Sequence, residues 1–105
     1  MKQIIVPKNV ESQKALEYDR AADGQLLIWN LTEEEYNHLN SLKIFEIINN
    51  KCKVLIDEYE DEKISYEKLR DVISIFDRND DEVLNKFHQF ITETIHRKMS
   101  IYFYF

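Results

Sequence analysis

Three histidines, one cysteine and a dense run of carboxylates are the residues of this chain whose chemistry deserves weighing. His88 and His96 lie on one predicted helix, about 80° apart around its axis, and not at the i, i+4 spacing of a zinc pair. His38 stands far from both in sequence. Ser65, His88 and a nearby acid can be written down as a triad, but no spacing selects them. Cys52 lies between Lys51 and Lys53. That setting favours a thiolate, yet a buried packing thiol is the simpler reading. A lone cysteine forms neither an intramolecular disulfide nor a cysteine metal cluster, and it suits a reducing compartment. On these residues the chain reads as a non-enzyme, with no catalytic residue, no metal site and no cofactor.

The carboxylates are the stronger signal. Residues 57–82 hold eleven acidic side chains against four basic ones, a net of −7 in a quarter of a chain whose total is −6. The densest part is Asp57, Glu58, Glu60, Asp61 and Glu62 around Tyr59. So uneven a field steers association with a basic partner, and a tyrosine among carboxylates is a natural interface anchor. The plain alternative is a solvated loop that keeps the protein soluble. The run lacks the D-x-[DN]-x-[DN]-G spacing of a calcium loop. Basic residues are scattered and outnumbered, so direct nucleic-acid binding is not expected.

At 105 residues, 44% apolar and 12% aromatic, the chain reads as one compact domain over 1–105. Gly24 and Pro7 are the only residues of their kinds, which excludes a glycine-rich phosphate loop. No stretch has the length of a membrane span or the shape of a signal peptide. A soluble, cytoplasmic protein with no membrane contact is the expectation.

The elements that must position the acids follow from pattern. Residues 3–6 and 26–29 read as strands, the second apolar on both faces and so central. Residues 9–20 fit neither period and read as irregular. Thr32 with Glu35 forms a capping box, opening one long helix to about Asn49 with a kink near Ser41. Residues 53–57 (KVLID) read as a third strand. Ser65 caps a helix with Tyr66, Leu69, Val72, Ile73 and Phe76 on one face, and a further helix opens at Asn79. The uncharged SIYFYF at 100–105 reads as a strand, which would be an aggregation hazard at an edge and is expected inside the sheet. Ile101, Phe103 and Phe105 then face the helices, while Tyr102 and Tyr104 cover an open outer face as a possible partner surface. The predicted class is α+β, a two-layer sandwich of about three helices on one face of a three- to four-stranded sheet.

GQLLIWNLTEEEYNHL followed by KVLIDEYEDEKISYEKLRDVISIF and a final aromatic strand resembles the small acidic immunity proteins of bacterial polymorphic and contact-dependent growth-inhibition toxin systems. The resemblance is carried by the acidic turn Ile56 to Glu62, by Lys68-Leu69 in the helix after it, and by Ile101 to Phe105. It implies a cytoplasmic antidote that binds one cognate protein toxin 1:1 and covers its active site. Many such toxins are nucleases with positive clefts, which the acidic surface would complement. The partner-binding residues are then Asp57, Glu58, Tyr59, Glu60, Asp61, Glu62, Tyr102 and Tyr104. The alternative is an acidic nucleic-acid mimic that inhibits a host nucleic-acid-binding enzyme. Oligomeric state and strand order stay open at this stage.

Overall fold

Two strands can be interior only if both of their faces are apolar, and two segments meet that condition. In β1 (Lys2–Pro7), Ile4, Ile5 and Val6 are all buried, and in β4 (Ser100–Tyr104) so are Ile101, Tyr102 and Phe103. The structure, a computed structural model describing residues 2–57, 61–76 and 80–105, pairs these two at the centre of a four-stranded antiparallel sheet. The order is β2-β1-β4-β3, with β2 at Leu26–Leu31 and β3 at Asp61–Ser65. The aromatic last strand is interior, as its hazard as an edge required.

Among the described residues, five α-helices accompany the sheet: α1 (Val10–Glu17), α2 (Glu33–Ser41), α3 (Ile44–Cys52), α4 (Tyr66–Leu69) and α5 (Glu82–Arg97), with 3₁₀ turns at Asp23–Gln25 and Ile73–Phe76. The main core joins Ile4, Val6, Trp29, Ile101 and Phe103 of the sheet to Leu39, Phe45, Ile48, Leu69, Phe76, Leu84, Phe87 and Ile91 of the helical side. Phe87 is its hub, with ring centroids 5.6 Å from Phe76 and 6.3 Å from both Phe45 and Phe103. The opposite sheet face is not bare. A second cluster of Ile5, Leu26 and Tyr102 packs there against Leu16 of α1. The architecture is α+β, but the expectation of helices on one face alone does not hold. Among the described residues no helix is long and apolar enough to cross a membrane.

Several elements depart from the sequence reading for identifiable reasons. α1 buries only Ser12 and Leu16, too few positions for an apolar period to show. Its start is fixed by Asn9, whose side chain accepts from the amide and hydroxyl of Ser12. The capping box at Thr32 and Glu35 forms with bonds of 3.0 and 2.9 Å, but the long helix breaks in two at Lys43, whose φ of 60° is left-handed. The helix read over 66–76 is a single α-turn followed by tighter ones. Asp71 and Val72 donate three residues back, to Lys68 and Leu69, and Leu69, Val72 and Phe76 are still fully buried. Near-threefold spacing serves a 3₁₀ path as well as an α-helix. Ser65 makes no side-chain capping bond there. The cap of α5 is Asp81; Asn79 lies outside the described residues.

The third strand also sits elsewhere. Residues 54–57 are not in the sheet: Lys53 ends α3 in a left-handed conformation, and the Asn49 side chain brackets the backbone of Ile56, donating to its carbonyl at 3.2 Å and accepting from its amide at 2.7 Å. An amide side chain thus stands in for a neighbouring strand. The strand is Asp61–Ser65, polar because it is an edge and only Ile64 must be buried. β2, read as central, is the other edge, and Ile28 on it is 37% exposed.

A candidate acidic cleft

α1 crosses the sheet where β4 and β3 carry alternate side chains toward it. Register places Asp61 opposite Tyr104 and Lys63 opposite Tyr102, so all four share that face. Leu16, Glu17 and Asp19 close the far side, and with Glu62 these residues line a cleft of about 400 Å³. Four carboxylates and one ammonium surround two tyrosines.

Tyr102 is the floor. Its hydroxyl donates to Glu17 Oε2 at 2.5 Å, and Lys63 Nζ donates to the same oxygen at 3.0 Å while lying 5.9 Å from the Tyr102 ring centroid. The two tyrosine rings stack with centroids 6.1 Å apart. The Tyr102 hydroxyl holds the Glu17 carboxyl below its ordinary range, with Lys63 adding to the effect. Burial pushes the Tyr102 phenol far up, and the facing Glu17 carboxylate pushes it further. Tyr104 is raised by burial and by Asp61, Asp19 and Glu17 around it. Both tyrosines therefore stay neutral while the Glu17 carboxylate stays charged. Such a site accepts cations: an ammonium or guanidinium would meet carboxylate oxygens at the rim and aromatic faces below.

The cleft unites two groups of residues that the sequence offered separately, Asp61 and Glu62 from the acidic turn and Tyr102 and Tyr104 from the last strand. Glu62 is engaged, its oxygens accepting from the amides of Leu55 and Lys63. Asp57 is exposed at the end of the preceding segment, while Glu58, Tyr59 and Glu60 lie outside the described residues. One expectation needs correction. Tyr102 is only 4% exposed and Tyr104 half-buried, because α1 covers the face thought to be open. Glu17 and Asp19 were missed because their segment read as irregular. Asp19 has a φ of 55°, a conformation Asp tolerates better than most residues, and an acid just after a capped turn was the available hint.

No known protein family, curated protein or solved structure matches this chain.

The other reactive groups have structural employment. Cys52 is buried, burial pushes its thiol up, and it donates to the Lys68 carbonyl at 3.7 Å. His38 Nε2 lies 2.6 Å from Asp81 Oδ2, which ties α2 to the start of α5. Asp81 Oδ1 also accepts from the Leu84 amide at 3.0 Å. That amide, then His38, holds the Asp81 carboxyl below its ordinary value. A lowered carboxyl contributes stability in full above its unfolded pKa of about 4, and loses it as pH falls through the lower folded value. Asp81→Ala is expected to cost about 1–2 kcal/mol at neutral pH. In urea titrations the gap from wild type should narrow below about pH 4; a gap constant down to pH 2 would refute this role. Among the described residues no three His, Cys, Asp or Glu side chains converge as a metal site.

Removing one oxygen tests the cleft floor. Tyr102→Phe is expected to lower stability by about 0.5–1.5 kcal/mol and to return the Glu17 carboxyl toward its ordinary range. A ¹³C-detected titration of Glu17 that is unchanged in the variant would show that the bond does not set its ionisation.

Proposed function

We propose that this chain is an immunity protein, an antidote that binds one cognate toxin 1:1 and covers its active site with an acidic surface. The observation that carries the reading is the segregation of charge: residues 57–82 hold a net −7. The end of the acidic turn enters a cleft where Glu17, Asp19 and Asp61 stand over two neutral tyrosines. A carboxylate array of this kind complements the positive cleft of a nuclease, where phosphates would otherwise lie, and an RNase is the toxin class proposed. The resemblance of the acidic turn and aromatic last strand to immunity proteins agrees with the charge argument, with which it shares the carboxylates of residues 57–62. Partner contacts are assigned to the acidic segment Asp57 to Glu62, of which Asp61 and Glu62 line the cleft, together with Tyr104 and the neighbouring Glu17 and Asp19. Tyr102, beneath them, holds Glu17 in place. Catalysis by this chain has no part in the reading, and its site of action is the cytoplasm of the cell it protects.

The proposal is tested by purifying the C-terminal domain of the protein encoded next to this one and titrating one against the other by calorimetry while following RNA cleavage. A 1:1 endpoint coinciding with complete loss of cleavage supports it. Binding without inhibition, or none, rejects it; recovery instead of a resident nucleic-acid enzyme would favour the phosphate-mimic alternative.

A further inference from the structure

The chain between β1 and β2 leaves the sheet and returns to it at one place. Pro7 pairs with Leu26, and the Lys8 amide donates to the Gln25 carbonyl at 3.1 Å. Residues 8–25 are therefore a closed excursion that carries α1, and the strand pairings on either side do not depend on where it lies. α1 has eight residues, fewer than the ~12–15 at which a helix begins to hold by itself in water. It buries only Ser12 and Leu16, while Val10 at its start and Tyr18 just past its end are 56% and 75% exposed. Among the described residues, its polar ties to the sheet lie on one side chain near its middle and one at its end. Gln13 Oε1 accepts from the Ser100 amide at 3.0 Å, and Glu17 Oε2 accepts from the Tyr102 hydroxyl and from Lys63 Nζ.

We propose that α1 is a hinged flap, latched at Glu17, that lifts as a unit while the sheet and the main core stay folded. The hinge is its start, where the Asn9 side chain caps the helix and Arg97 donates to the Lys8 carbonyl at 3.2 Å. The latch is its end, where donors from two different strands, Tyr102 of β4 and Lys63 of β3, meet one carboxylate oxygen. The main core, with Phe87 and Ile91, lies on the opposite face of the sheet and keeps its packing when α1 lifts. What the motion changes is the acidic cleft. Glu17 and Asp19 belong to the excursion, whereas Asp61, Glu62, Lys63, Tyr102 and Tyr104 stay on the sheet. One wall is fixed and the other moves, so the cleft widens without unfolding the domain. Opening also uncovers Ile5, Leu26 and Tyr102, which α1 covers through Leu16. The device stands whatever fills the cleft, and it does not depend on the proposed function.

Native-state amide hydrogen exchange of the full chain tests this. The amides of Gln13 and Tyr18, which donate to Asn9 and Lys14, are expected to be protected at least about a hundredfold less than those of residues 101–103 in β4, through an opening with little denaturant dependence. Ile91→Val trims the main core on the far face. It should lower protection of residues 101–103 by about three- to tenfold and leave α1 unchanged, because the flap opens without that core. Glu17→Ala removes the latch and should lower α1 protection by about tenfold, although alanine itself favours a helix. Equal protection in α1 and β4 of the wild type overturns the inference. So does α1 protection that falls together with β4 in Ile91→Val, or that is unchanged in Glu17→Ala.

Discussion

Replacing Asp57, Glu58, Glu60 and Asp61 together with lysine is expected to abolish toxin neutralisation while leaving the protein folded. Each reversal changes the charge by two, so the four carry the chain from −6 to +2. Asp57 and Asp61 are exposed, and substitutions at such positions shift stability by only about 0.5 kcal/mol. Binding is another matter. Truncating one partner of a desolvated charge pair costs about 2–5 kcal/mol, and reversal adds repulsion, so the dissociation constant should rise by at least about thirtyfold from even one such pair. Part of the loss falls on the association rate, since steering of this kind contributes about 10–10³-fold. Surface plasmon resonance at low and high salt separates the two. Wild type should associate more slowly as salt rises, and the variant should lack that dependence. Equal affinity of both proteins would remove the acidic surface from the mechanism.

The second large effect is in the core. Phe87→Ala is expected to cost about 3–5 kcal/mol, a large fraction of the ~5–15 kcal/mol that holds a domain of this size together. Phe87 is fully buried at the meeting of α3, the 73–76 turn, α5 and β4. No single neighbour can relax into the space it leaves. Thermal unfolding should fall by about 15–25 °C. A shift under about 5 °C would mean that the helical layer is not packed on the sheet as described.

These two results draw on different parts of what the residues disclose. The core was legible: β1, β4, the Thr32 cap and the buried Leu69, Val72 and Phe76 follow from burial and period. What hid was structure with little to bury. α1 hides only Ser12 and Leu16, and β3 hides only Ile64. The apolar VLI of 54–56 suggested a strand, yet Asn49 bonds that backbone instead and Leu55 is 57% exposed. β2 looked central because Leu26, Leu27, Ile28 and Trp29 are apolar on both faces. It is an edge whose outer apolar residue is left in solvent. The candidate site was half visible for the same reason. Asp61, Tyr102 and Tyr104 were marked by type, but Glu17 and Asp19 join them only because a helix with a minimal apolar face crosses the sheet there.

Growth of susceptible bacteria expressing the C-terminal domain of the protein encoded next to this one, with this chain or its four-lysine variant, tests the antidote reading most directly. The account predicts that toxicity is relieved by the wild-type chain and not by the variant, at equal amounts of folded protein. Toxicity untouched by the wild-type chain, or relieved equally by both, would contradict it.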